Sequence, residues 1–273
     1  MTRLKEADIL LLESGLAEYD KQLRLHAGYG LAAVAAHAAG CREDEFLQKK
    51  DEVAVAVVPL TYGQGIIGGF AESVRAICLF LGFAAFVTEK SNLPGLGEAV
   101  EQQADIVFLA DDDFFIALHP KTGKAVDNGA ATGRGYAALL DLAAAQVKGK
   151  TALVVGAGPV GQGAAEFLQE AGAQLLVYDC EKEKAEQLCR QYPNATVAAS
   201  LEEALAGSEL VVEATPAEKT LRGEQLRSEL WVAAPGVPLG IDLTGQALLQ
   251  GRLFHDVLEI GVASMLAMAL AES

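Results

Sequence analysis

The chain has 273 residues, enough for one large or two ordinary domains around a sizeable core. Its 21 basic residues against 37 acidic ones leave a formal charge of -16, which argues against nucleic acid as a partner and fits a soluble acidic enzyme. Four cysteines without a CxxC pair and four scattered histidines offer no zinc cluster, and no apolar stretch has the character of a membrane span. The first residues lack the basic flank and apolar run of a secretory leader, so the expectation is a cytoplasmic protein with reduced thiols.

Residues 3 to 26 read as one charged amphipathic helix, with Leu4, Leu11, Leu12, Leu16, Leu23 and Leu25 among its apolar positions. Such a stripe predicts a homodimer contact, although a helix that completes the core has the same pattern. Gly28 and Gly30 break it, and an alanine-rich helix follows to about Ala39, stopped by Gly40. Residues 41 to 52 read as polar surface. Val53 to Val58 make a buried strand ended by Pro59. The segment Thr61 to Phe70, TYGQGIIGGF, then sets four glycines within seven residues before a helix over 70–82. Glycine-rich junctions bring backbone close to a ligand or let two helices cross tightly, and the pattern fits both. Phe83 to Val87 is a strand, 95–103 a helix and Asp105 to Leu109 a third strand; this alternation predicts a small parallel α/β domain. The third strand runs into Ala110-Asp111-Asp112-Asp113, either carboxylates where α/β sheets keep their sites or an acidic turn without catalytic duty. Residues 114–132 read as a loop or hairpin with a tight turn at Asn128-Gly129. A helix over about 133–145 leads to Lys148-Gly149-Lys150, which divides a domain of residues 1–148 from one of 149–273.

The second domain opens on its most informative stretch. Thr151 to Val155 is a buried strand running into Gly156-Ala157-Gly158-Pro159-Val160-Gly161, and Leu175 to Tyr178 delivers Asp179, 23 residues after Gly156. Gly156 and Gly158 permit the tight turn and close approach of a pyrophosphate, Gly161 lets the helix pack on the strand, and Pro159 sits where amides at a helix start have no intrahelical partner. Asp179 stands where an acid accepts hydrogen bonds from an adenosine ribose, which favours NAD over NADP. A helix over about 181–191 follows, and Ser200 caps another. Strands Leu210 to Ala214 and Trp231 to Ala234 end in Thr215-Pro216 and Pro235-Gly236, which should line the nicotinamide half of the crevice. Phe254 to Leu258 reads as a last strand, and Ala263 to Ala271 as a last helix. Glu213, an acid within an apolar strand, is either a satisfied buried group or one facing the cofactor. His119 and His255 read as structural hydrogen-bonders or general bases.

Several blocks together resemble one family. VPLTYGQGIIGGF from Val58 to Phe70, GFAAFVTEK, FLADDDFF around Asp111, VVGAGPVGQGAAEFL, VVEATPA from Val211 to Ala217 and the terminal EIGVASMLAMAL look like the pyrrolysine synthase PylD family, in the expected order over almost the whole chain. The resemblance implies a Rossmann-type NAD-binding domain, a smaller parallel α/β N-terminal domain and a long N-terminal helix. It implies a small isopeptide substrate, L-lysine bearing a 3-methyl-D-ornithyl group on its ε-nitrogen. Oxidation at the carbon carrying the terminal amine, loss of ammonia and attack by the ornithyl α-amine would close a pyrroline ring. It also implies site residues. Leu4 would pack the apolar stem, Ala110 and Asp111 would stand at the strand end with Asp111 as the acid, Asn128 would supply amide hydrogen bonds and Ile260 would close the apolar side. Gly63, Gln64 and Gly65 would lie beside the site, while Gly156, Gly158, Pro159, Val160, Gly161, Asp179, Thr215, Pro216 and Pro235 would serve NAD. The chain departs from the family pattern in the middle of its glycine fingerprint, at Asp113 and over 41–52, which reads as a surface insertion. An ordinary amino-acid or folate dehydrogenase and a non-catalytic NAD-binding sensor remain as alternatives.

Overall fold

The computed structural model describes residues 4–271. Two short helices open the chain, α1 (Glu6–Ile9) and α2 (Leu12–Ala27), where the periodicity predicts one. Leu11 leaves helical backbone at φ -105° and ψ 4°, with Leu10 and Leu11 exposed at the break. The expected start at residue 3 lies outside the described residues. Gly28, at φ 82°, ends α2 by donating its amide to the Arg24 carbonyl. Next come α3 (Leu31–Ala38) and α4 (Glu43–Gln48). The latter occupies the stretch expected as polar surface, because Phe46 is buried against Phe83 with ring centroids 5.1 Å apart.

The first sheet is built by β1 (Ala54–Pro59), β2 (Ala84–Val87), β3 (Ile106–Ala110), β4 (Phe115–His119) and β5 (Lys124–Asp127), with α5 (Phe70–Phe80) and α6 (Asn92–Glu101) as crossovers. Its order is β2-β1-β3-β4-β5; β1, β2 and β3 run parallel, and the β4–β5 hairpin extends the sheet with antiparallel strands. The hairpin turns at Gly123, whose amide donates to the His119 carbonyl. Asn128-Gly129, expected as that turn, instead begins α7 (Asn128–Ala143), because the Asp127 carboxylate accepts from Ala130 N at 3.0 Å and caps the helix.

The second sheet contains β6 (Thr151–Val155), β7 (Gln174–Tyr178), β8 (Ala195–Val197), β9 (Leu210–Glu213), β10 (Trp231–Ala233) and β11 (Leu253–Phe254). Between them run α8 (Pro159–Glu170), α9 (Lys182–Cys189), α10 (Leu201–Gly207) and α11 (Leu243–Leu248). The order β11-β10-β9-β6-β7-β8 is wholly parallel, the doubly wound arrangement of a Rossmann fold.

The last helix, α12 (Glu259–Leu270), begins four residues before the expected Ala263. Its residues are apolar on all sides and almost all buried, so it must lie between other elements. It packs on α3, α5 and α7, returning the end of the chain to the first sheet's helical layer rather than to the second domain in which its sequence position had placed it. The two halves meet where α7 crosses α8. A methyl group on Gly133 would lie 1.9 Å from the Val160 carbonyl oxygen, and one on Gly163 would lie 2.2 Å from that of Ala130. Backbone meets backbone there, with no flexible side chain to yield. Gly133→Ala is therefore expected to destabilise the protein by about 1–3 kcal/mol through overpacking, read as a lower midpoint in urea.

Candidate active site

Each sheet has a switch point where successive crossovers leave in opposite directions: between β1 and β3 in the first, and between β6 and β9 in the second. Ligands of open α/β sheets bind outside the carboxyl ends of strands at such points. Here both open onto one cavity of about 370 Å³. Val57, Phe70, Phe108 and Phe115 form much of its apolar wall on one side; Gly158, Pro159, Val160, Thr215, Pro216 and Pro235 approach from the other.

The dinucleotide end follows from local backbone. Gly156 sits at φ 95°, and a Cβ there would lie 2.9 Å from the Ala214 carbonyl oxygen. A Cβ at Gly161 would collide with the Gly156 carbonyl, so this glycine sets how closely α8 approaches β6. Gly158 faces open space and caps α8 without a side chain, leaving amides and the positive end of the helix dipole toward the cavity. Asp179 accepts the Ala157 amide at 2.8 Å and that of Glu181 at 2.8 Å, which pins the acid beside the glycine turn. A dinucleotide fits this arrangement: an open cradle for the pyrophosphate at Gly158, and a carboxylate at the end of β7.

Asp111 and Ala110, at the end of β3, line the cavity together with Leu4, Gly65 and Asn128. Asp111 Oδ1 accepts from the amides of Asp113 at 2.8 Å and Phe114 at 2.7 Å, so the acid shapes its own turn and is held still. Asn128, buried at the start of α7, accepts the Thr132 hydroxyl at 3.2 Å. Gly63 and Gln64 do not line the cavity. The Gln64 amide donates to Asp112 at 2.5 Å, and Gly63, at φ 72°, leaves no room for a Cβ beside the same carboxylate. The glycine-rich segment is thus clasped to the acidic turn. Ile260 also lies off the cavity: it is fully buried and packs toward Gly135 of α7, while Val257, Leu258 and Gly261 take the lining positions. Gly156, Gly161 and Asp179 act from behind the lining.

Residues not singled out by the sequence complete the site. Asp256 and Tyr136 line the cavity from β11's exit and α7. Asp256 Oδ2 accepts the hydroxyls of Tyr19 at 2.7 Å and Tyr136 at 2.8 Å, and Glu259 Oε2 accepts the amides of Val257 and Leu258. Burial raises the Asp256 carboxyl; burial and the adjoining Asp256 charge push Glu259 up to about 7. The available signal was weak, two acids three residues apart in an otherwise apolar run. His255 Nδ1 lies 2.7 Å from the Ala234 carbonyl, and burial lowers its pKa. Neither His255 nor His119 lines the cavity. Among the described residues there is no group of metal-ligating side chains and no helix long and apolar enough to cross a membrane.

The fold and this cleft define a two-unit α/β dehydrogenase of the nicotinamide-cofactor type. The profile of the shikimate / quinate 5-dehydrogenase family matches residues 138–243, and that of the PylD N-terminal domain, described as a pyrrolysine biosynthesis protein, matches residues 8–126. A pyrrolysine synthase of Methanosarcina acetivorans is 35% identical over 214 residues, covering 78% of this chain and 80% of the relative. The chain belongs to the pyrrolysine synthase family. In fold it is similar to the Campylobacter jejuni FolD methylenetetrahydrofolate dehydrogenase/cyclohydrolase, with 16% identity, a TM-score of 0.53 and coverage of 94% of this chain and 96% of that one. It is also similar to the Corynebacterium glutamicum quinate dehydrogenase solved with NAD, with 15% identity, a TM-score of 0.52 and coverage of 80% and 94%.

Glu213 ends β9 fully buried. One oxygen accepts the amide and hydroxyl of Thr215, a cavity residue; the other has no partner and lies against Gly240. Burial raises this carboxyl to about 6 from an ordinary 4.5. Because the folded value is the higher one, its contribution to stability is complete below pH 4.5 and lost as pH rises through about 6, a change of about 2 kcal/mol. Glu213→Gln mimics the neutral acid, so it should remove this loss. Unfolding by urea at pH 4 and pH 8 should show a stability gain essentially confined to pH 8.

Proposed function

We propose that the protein is a pyrrolysine synthase: it oxidises the terminal amine of 3-methyl-D-ornithyl-N6-L-lysine with NAD, releases ammonia and closes the pyrroline ring. The observation that carries this reading is the single cavity shared by the two switch points, with an uncapped helix start on one side and carboxylates on the other. When bound, the nicotinamide supplies the hydride acceptor. The protein's own residues orient and desolvate the amine. Asp111, fixed by its turn, pairs with an ammonium group, and Asn128 offers its amide to the substrate's polar atoms. Phe70, Phe108 and Phe115 exclude water around the apolar stem. Folding the flexible chain within these walls brings its α-amine near the reacting carbon, where an intramolecular nucleophile has a large effective concentration. NAD is preferred to NADP because Asp179 accepts from a ribose hydroxyl and repels a 2′-phosphate. A cytoplasmic homodimer completes the proposal.

The test is to incubate the protein with NAD and the isopeptide while following NADH absorbance and the product mass. NADH together with a product lighter by ammonia and two hydrogens is expected; NAD binding without NADH would overturn the substrate assignment. Asp111→Ala should retain NAD affinity and lose turnover, checked by titrating NAD fluorometrically beside the same assay. Asp179→Ser should raise KM for NAD about 10-fold or more, the loss of a charge-assisted hydrogen bond, and narrow the gap to NADP.

A further inference from the structure

Among the described residues, the charged groups that line the cavity are acidic. Asp111, Asp112 and Asp256 line it, and among its described lining residues there is no lysine, arginine or histidine. Asp256 is the deepest placed of the three: it is 7% exposed, whereas Asp111 and Asp112 are half-buried in a turn. A buried carboxylate is costly unless it is hydrogen-bonded and meets a cation. Hydrogen bonding is provided by three elements. Tyr19 of α2 and Tyr136 of α7 donate to Oδ2, and the Ile260 amide of α12 donates to Oδ1 at 3.3 Å. The Asp256 amide in turn donates to the Tyr136 hydroxyl at 2.8 Å, fixing that ring. The fourth group is Glu259, whose carboxyl accepts the amides of Val257 and Leu258 and is raised by burial and by the Asp256 charge. Burial lowers the pKa of the neighbouring His255, whose Nδ1 lies against the Ala234 carbonyl and which is not among the cavity-lining residues. Among the described residues, the lining thus supplies donors for a carboxylate, and a cationic group of the ligand would complement it.

We propose that Asp256 is the proton acceptor that converts the substrate's ammonium into the free amine before oxidation. This rests on the proposed amine oxidation. An ammonium nitrogen has no lone pair to assist departure of hydride from the adjoining carbon, so one N–H bond must break first. The electron pair of that bond stays on nitrogen, and the proton forms an O–H bond with an Asp256 oxygen. No oxidant enters this step, and the proton leaves to water when product is released. The two tyrosine hydroxyls favour the ionised form of Asp256, which keeps it able to accept a proton.

The experiment compares NADH formation from the isopeptide across pH in the full chain and its variants. Absence of turnover in the unsubstituted protein would overturn the proposed function, independently of Asp256. Given turnover, Asp256→Asn should lower kcat about 10²–10⁴-fold with NAD affinity unchanged, and its residual rate should climb with pH as solution supplies the free amine. Wild-type kcat in Asp256→Asn at all pH values would overturn the inference. Tyr19→Phe, which keeps the carboxylate and the fold, provides the second reading. Loss of one donor should move the acid limb of kcat/KM upward by about one pH unit while the high-pH kcat stays within about threefold. An unmoved acid limb would overturn the assignment even if Asp256→Asn failed to fold.

Discussion

The contact between α7 and α8 is the constraint on which the rest of the molecule depends. Alanine would already be too large at Gly133 and Gly163, so the two helices touch through carbonyl oxygens and Cα atoms. Arg134 reinforces the crossing from the next position. Its guanidinium donates to Glu170 at 2.8 Å, pairs with Glu166 at 3.2 Å and reaches the Ala38 carbonyl of α3, with Phe167 beneath it. A second close approach, Gly135 against Ile260 and Ser264, seats α12 on the same helix. Both sheets are therefore referred to α7, whose first residue, Asn128, lies in the cavity. The site is placed by the seam that joins the halves.

Placement in turn decides the chemistry. Two switch points that face each other give a pocket with a dinucleotide at one wall and a substrate at the other, and the remaining surface is mostly aromatic and aliphatic. In that low-dielectric setting a few carboxylates dominate the field. The net charge of -16 adds a long-range bias in the same direction, which would favour approach of the proposed cationic substrate, whereas the α8 amides would hold the dinucleotide locally. An acidic protein can bind a phosphate-bearing cofactor because the helix start presents its partial positive charge within contact distance.

Much of the second half was legible because its signals are local. The glycine turn between Val155 and Val160 and the acid at Asp179 each have a local reason for their spacing, and β6, β7 and β9 are short, largely apolar runs containing valine. The acidic turn at Asp111 was legible as a strand end for the same reason. Elsewhere a contact outweighs the local turn or surface signal. Asn128-Gly129 has the sequence of a hairpin turn, yet the Asp127 cap makes it a helix start. Phe46 turns a polar stretch into a helix through its packing on Phe83. Tyr19, Tyr136 and Asp256 come together from positions separated by more than a hundred residues, and nothing in any one of their neighbourhoods announces the others. Ile260 illustrates the converse: its chain neighbours Leu258 and Gly261 line the cavity, but the helical rotation turns Ile260 itself onto Gly135.

The glycine seam also divides the molecule into what evolution can alter and what it cannot. Mutational drift at Gly133 or Gly163 meets main chain, so every accessible substitution there disturbs both halves together. Val57, Ile67 and Val237 border the cavity, where a change in side-chain size alters pocket shape. Divergence from a common ancestor is thereby channelled into pocket shape at constant separation between cofactor and substrate, a geometry in which new substrates can be explored without re-inventing the distance over which hydride must travel.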